Sequence, residues 1–307
     1  MTRIASILRR RPRLALGAAL ACAVILVGSV LPLAGGDRPA AAAAFAVGRV
    51  HKQFQPNDGK VFVLVIGSDA RQGNPTAANG DAIHLLGINT RTMKGGILNF
   101  PRDCWVSIPG HGTGKINSSL ARGGPELMVR TIESLTGMHI DYWLMTGFEG
   151  FQGAVHALGN LRMTIPTNVY DVGYSGANLK AGTYTLPAYK VLQYARARHP
   201  FPHGDLDRSR HQANILLALL AKLRSQVESN PGVLMKWIAV ARKYTNENLS
   251  AEELFRLGIL ASQVRRKDVG NVNVPVGLGS VGAASVDFIQ TGQARSIYRR
   301  FKEKGSL

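Results

Sequence analysis

The chain has 307 residues, 45% of them hydrophobic, and a formal net charge of +18. That hydrophobic share excludes a disordered chain and predicts a sizeable core. Arg3, Arg9, Arg10, Arg11 and Arg13 precede residue 14 with no acid; removing these five from 37 cationic residues leaves 32 against 19 acids, so the remainder is itself basic at +13. Such a surface attracts polyanions, whether nucleic acid, anionic lipid or phosphate-rich polymer.

The uncharged run from Leu14 to Ala34 would span about 31 Å as a helix, close to the hydrocarbon thickness of a bilayer. Its arginine flank predicts an inside N-terminus and an outside remainder. A cleaved signal peptide is the alternative, with Ala40–Ala44 offering a cleavage site. Cys22 lies inside the run, so no intramolecular disulfide with Cys104 is expected, and Cys104 reads as a small buried side chain. The expected organisation is a cytoplasmic tail (1–13), a transmembrane anchor (14–34), a linker (35–57) and one extracytoplasmic domain (58–307).

In chain order, Val61–Ile66 is a continuous apolar, β-branched run ending at Gly67, which predicts a buried central strand. Strands are also expected at 82–89, 96–100, 163–170, 269–276 and 281–289. Helices are expected at 125–136, closed by Gly137, and at 147–158, 187–197 and 205–229. Ser250 and Glu253 predict a capping box opening a helix over 250–266. The basic tail 295–304 predicts a solvated helix. Strands alternating with helices give an α/β fold, a single domain with a mixed central sheet flanked by helices.

Three polar clusters follow strands or open helices. In the first, Asp69 emerges after the apolar strand, and Asp81 precedes the next one. Antiparallel pairing of these strands brings both carboxylates to one sheet end. Two converging carboxylates suit a hard cation such as Mg2+, although loop or cap aspartates read equally well from these residues alone. In the second, Arg102 follows a strand and Lys115 lies nearby; guanidinium grips phosphate through paired donors and lysine acts as a point charge. The stretch Gly110–Lys115 is no P-loop, because Pro109 stands at the first glycine and Ile116 at the Ser/Thr position. In the third, Arg196 and Arg198 end one helix, Pro200 and Pro202 break the chain, and Asp205, Arg208 and Gln212 open the next. Arg208 and Gln212 share a helix face, and a helix start favours anions. Together these residues describe a phosphate clamp; the plain alternative is a surface salt-bridge patch. No histidine pair has zinc spacing on one helix, and no serine elbow is present.

Taken in this order and spacing, the clusters resemble the LytR-CpsA-Psr family of cell-wall glycopolymer ligases. The matching pieces run from Val63–Arg71 through Gly80-Asp81, Pro101-Arg102-Asp103, Lys115-Ile116-Asn117, Gly123-Gly124 and Gly147–Gly159 to Tyr194–Gln212. The resemblance implies a Mg2+-dependent phosphotransferase, with Mn2+ as an alternative ion. It would move a glycopolymer from an undecaprenyl diphosphate carrier to peptidoglycan through a phosphodiester. It further implies that Asp69 and Asp81 handle the metal, and that Arg102, Arg196, Arg198, Arg208 and Gln212 hold the diphosphate, with Lys115 and Asp205 near it. Asp69, Asp81 and Arg102 would carry the chemistry, and either aspartate could take the acceptor's proton. The apolar helices at 125–159 would line a polyprenyl tunnel. Two positions depart from the family pattern: Asn79 and His211 stand where arginine is common, and Arg71 could replace one contact.

The implied partners are the lipid-linked glycopolymer, peptidoglycan and the membrane, with no nucleic acid, since the basic domain would lie outside the cytoplasm. The rival readings are a polyprenyl-diphosphate hydrolase and a non-catalytic, polyanion-binding envelope regulator.

Overall fold

The structure, a computed structural model, describes residues 45–49, 59–70, 75–243 and 250–307, all within the unit Ala40–Leu307. The expected tail, the anchor at 14–34 and Arg71 lie outside the described residues. Among the described residues no helix is long and apolar enough to cross a membrane.

A six-stranded sheet forms the centre. Its strands are β1 (Phe45–Arg49), β2 (Lys60–Ser68), β3 (Gly80–Asn89), β4 (Lys94–Asn99), β7 (Tyr142–Thr146) and β12 (Val269–Asn273), in the order β1-β7-β2-β3-β4-β12. β7 and β2 run parallel, as do β4 and β12, while the other neighbours are antiparallel. The sheet is therefore mixed, as expected. β1 corrects the linker expectation: residues 45–49 pair with β7 at the sheet edge. β7 itself was missed, because its five residues Tyr-Trp-Leu-Met-Thr are too few to show a period.

Short hairpins join the larger elements: β5 (Trp105–Ser107) with β6 (Thr113–Lys115), β8 (Leu161–Ile165) with β11 (Gly182–Leu186), and β9 (Val169–Asp171) with β10 (Ala177–Leu179). The strand expected over 163–170 is thus two strands, separated at Pro166. The strand expected over 281–289 is half of a hairpin, β13 (Val276–Val281) with β14 (Ala284–Ile289).

The helices are α1 (Ser118–Thr136), α2 (Phe148–Ala157), α3 (Ala188–Arg196), α4 (Asp205–Ser229), α5 (Val233–Lys243), α6 (Ala251–Gln263) and α7 (Thr291–Lys304). α1 is broken at Gly123 and Gly124 and resumes at Pro125; its C-cap Gly137, at φ 67°, returns its N–H to Glu133. The capping box of Ser250 and Glu253 closes as expected.

The two faces of the sheet differ. On the first, Phe62, Leu64, Ile66, Ile83, Leu85 and Leu98 meet Leu127, Met128 and Ile132 of α1 and Tyr298 and Phe301 of α7, all buried. Phe301 crosses the sheet at Gly87 and Gly96, where a Cβ would stand 2.6 and 2.7 Å from its ring, so the approach requires glycine. This corrects the solvated-tail expectation, since α7 keeps one face in the core. On the second face, Val63, Val65, Leu86 and Leu144 are only partly buried, although they sit on inner strands. α6 covers the far end of this face through Leu254, Leu257 and Leu260. α4 runs over β3, β4 and β12. A separate core joins α2, α3 and α4 through Val155, Val191, Tyr194, Ile215 and Ala218.

Candidate anion site at the sheet end

Antiparallel β2 and β3 place Gly67 opposite Ala82 and Ser68 opposite Gly80, so Asp69 and Asp81 emerge at one end of the sheet. The backbone of Asn79 frames Asp69, donating N–H to its Oδ1 at 2.9 Å and accepting from its N–H at 3.0 Å. The start of α4 arrives at the same end. It is fastened by a polar layer in which Asn273 Nδ2 donates to the Leu206 carbonyl at 3.0 Å, while Asn99 Nδ2 donates to Asn273 Oδ1 at 2.9 Å. Asn99 Oδ1 lies 2.7 Å from Nδ1 of the buried His84.

Three arginines and two aspartates interlock there. Arg102 Nη1 reaches Asp81 at 2.7 Å and its Nε reaches Asp205 at 3.0 Å. Arg208 contacts both carboxylates at 3.4 Å, and Arg198 Nη1 reaches Asp205 at 3.3 Å. Lys115 pairs with Asp103 at 2.7 Å. The loop before α4 is held by Asp171, whose Oδ2 accepts from the Arg198 N–H at 3.2 Å and whose Oδ1 meets His199. Gln212 Nε2 donates to the Ala195 carbonyl at 3.2 Å, and its side chain lies against His84. Arg196 stands apart from the lattice, with its guanidinium 4.9 Å over the Phe148 ring.

Electrostatics follow this geometry. Burial would raise the Asp205 carboxyl, but Arg208, Arg102 and Arg198 outweigh it and hold the group below the usual range. Burial opposes the charge of Arg102, yet Asp81, Asp205 and Asp103 hold it above its ordinary value. Arg208 is lowered, by burial first, against the pull of Asp205 and Asp81. Among the described residues its buried Nε has no partner, a guanidinium donor left for another acceptor. Burial, then the charge of Asp81, raises Asp69 against the Asn79 N–H. His84 is pushed down to about 4 by burial, against Asn99 and Gln212, and is neutral at physiological pH. His211 is likewise pushed to about 4 by burial, against the Ala197 backbone and Asp207; its ring packs between Tyr194 and Phe201.

The expected clamp residues therefore converge, apart from Arg196. Asp81 joins Asp205 in offsetting the charge of the arginines. Asp207 is turned away, pairing with Arg210 at 2.7 Å. Asp69 and Asp81 fit a divalent cation: burial and the charge of Asp81 raise the Asp69 carboxyl, and such a cation would relieve that cost. Among the described residues no group of three or more His, Cys, Asp or Glu gathers as a metal site, so an ion would complete its shell from water and substrate oxygens, as Mg2+ does at phosphate sites. Sequence reasoning missed His84, Asp171 and Asp287. Polar residues inside strand runs were the available signal.

Below the lattice the site becomes apolar. Arg208 and Gln212 are followed one and two turns on by Leu216 and Leu220, both partly buried, on the helix that runs over β3, where Leu86 is also partly buried. The stripe of α1 at 125–136 is instead spent in the first core, while α2 places Val155 in the separate α2–α4 core.

These observations define a mixed α/β domain with an arginine–aspartate lattice at one sheet end. The model of the LytR_cpsA_psr family matches residues 38–303, and the chain belongs to that family. It is 32% identical over 235 residues to the regulatory protein MsrR of Staphylococcus aureus, covering 74% of this chain and 69% of that one. It is 31% identical over 182 residues to the polyisoprenyl-teichoic acid–peptidoglycan teichoic acid transferase TagT of Bacillus subtilis, covering 57% of this chain and 56% of that one. Among solved structures, the family protein YwtF (TagT) with bound octaprenyl pyrophosphate lipid superposes with a TM-score of 0.64 at 24% identity, over 83% of this chain and 94% of that one. That likeness bears on the fold.

Proposed function

We propose that this protein is a phosphotransferase that moves a glycopolymer from an undecaprenyl diphosphate carrier to peptidoglycan, forming a phosphodiester. The observation that carries the reading is the continuity of the site. An arginine–aspartate lattice, in which Arg208 Nε has no partner among the described residues, stands at the end of strands that carry the apolar, only partly buried Val65 and Leu86, which suits a diphosphate head on a long lipid chain. The name of the relative TagT, a polyisoprenyl-teichoic acid–peptidoglycan teichoic acid transferase, supports the same reading, whereas MsrR is named a regulatory protein.

Arg102, Arg198 and Arg208 would hold the diphosphate, with Lys115 and Gln212 at its edge and Arg196 reaching in from over Phe148. Asp205 fixes the three arginines so that their charge is positioned before substrate arrives, and transfers of this kind depend on positioning and electrostatics. Asp69 and Asp81 would hold Mg2+, which supplies further neutralisation of the diphosphate. Val65, Leu86, Leu216 and Leu220 would line the chain. The domain would work outside the membrane, on the reading of 14–34 as its anchor.

The test is turnover of a lipid-diphosphate-linked glycopolymer with and without a peptidoglycan acceptor. Release that needs the acceptor and stops in chelator supports the reading. Release at the same rate to water makes the protein a hydrolase, and binding without turnover makes it a regulator.

A further inference from the structure

The hairpin formed by β13 and β14 lies far along the chain from the clusters that form the lattice, yet it delivers a carboxyl to their edge. Asp287 of β14 donates its backbone N–H to the Asp103 carbonyl at 3.0 Å and bridges Cys104 in parallel register. This fixes it beside Asp103, the residue that follows Arg102 in the chain. The residue is 7% exposed, and its side chain has neither an ion pair nor a hydrogen bond among the described residues.

Its neighbours are otherwise committed. Asp81 is held by Arg102 and Arg208, Asp205 by Arg102, Arg198 and Arg208, and Asp103 by Lys115. Asp69 accepts the Asn79 N–H and is assigned to the cation. A carboxylate locked to guanidinium is a poor proton acceptor, because the ion pair favours the charged form. Asp287 alone in the cluster has neither a cation partner nor an assigned task.

We infer that Asp287 accepts the proton of the acceptor hydroxyl in the transfer reaction. The inference rests on the transferase reading above. In the step, the hydroxyl oxygen bonds to the phosphorus that carries the glycopolymer, and the bond from that phosphorus to the polyprenyl phosphate oxygen breaks. Polyprenyl monophosphate leaves with the bonding electrons. The proton passes to the Asp287 carboxylate and then to water. The groups facing Asp287 are Asp103, Asp205, Lys115 and the thiol of Cys104. Burial first, then Asp103 and Asp205, push its carboxyl up to about 6 against Lys115, so the group is ionised at neutral pH and basic enough to take a proton.

The experiment uses the full chain with a lipid-diphosphate-linked glycopolymer and a peptidoglycan fragment, comparing wild type, Asp287→Asn and Asp287→Glu. Asp287→Asn should keep its affinity for the lipid diphosphate and lose on the order of 100-fold in kcat. The fall in wild-type rate below about pH 6 should vanish in that variant. Asp287→Glu should retain part of the rate with a displaced acid limb, which guards against misfolding of the asparagine variant. A wild-type rate in Asp287→Asn, or a wild-type pH profile flat through pH 6, overturns the assignment alone. No transfer by wild type overturns the transferase reading and the assignment with it.

Discussion

The two faces of the central sheet carry similar residues and perform different tasks. Leu64 and Val65 are neighbours on β2, but Leu64 is fully buried against α1 and α7, while Val65, on the other face, is only partly buried. The first face is sealed throughout by α1 and α7; on the second, Val61, His84 and Tyr142 are buried while Val63, Val65, Leu86 and Leu144 stay partly exposed. An apolar face on inner strands that stays partly open is explained by a ligand better than by stability, since native cores pack without voids of that kind.

Substitutions at these two positions sharpen the contrast. Leu64→Ala should cost about 2–5 kcal/mol in denaturant unfolding. Leu64→Phe should cost about 1–3 kcal/mol through overpacking. Val65→Phe should leave stability within about 1 kcal/mol of wild type and weaken lipid-diphosphate binding instead. Equal destabilisation by Leu64→Phe and Val65→Phe would show that both faces are sealed.

At the lattice, Arg198→Ala should weaken binding of a polyprenyl diphosphate by about 2 kcal/mol, roughly thirtyfold. Its guanidinium is 36% exposed, so little stability should be lost. A lipid diphosphate should raise the melting temperature of wild type more than that of the variant. A lower melting temperature with unchanged affinity would return the cluster to a salt-bridge patch.

The smallest expected effect is on pH dependence. His84 and His211 sit near 4 in the folded chain against an ordinary 6.5. The unfolded chain binds their protons first, so their neutral burial favours folding fully above pH 6.5, and this contribution is lost as pH falls toward 4. Melting temperatures measured across that window should decline, and His211→Phe should flatten part of the slope.

Much of this was legible in the sequence. The run Val61–Ile66 announced the central strand, and the antiparallel pairing expected of it placed Asp69 and Asp81 together. The proline-broken connection before Asp205 placed Arg198 against α4. What stayed hidden depended on long-range pairing. Nothing local marks Asp287 as a neighbour of Asp103, because a hairpin over 180 residues later must dock first. Arg196 reads like Arg198, yet a helix end separates them and turns one over Phe148. Phe301 looked like part of a solvated basic helix, since the Gly87 and Gly96 that admit it lie in other strands.

The central claim is that a lipid diphosphate binds with its head in the arginine lattice and its chain on the open sheet face. Photolabelling with a polyprenyl diphosphate carrying a diazirine along the chain tests this most directly. The label should map to peptides containing Val65, Leu86, Leu216 or Leu220, and Arg198→Ala should reduce it. Labelling confined to peptides remote from that face, or undiminished in Arg198→Ala, would contradict the account.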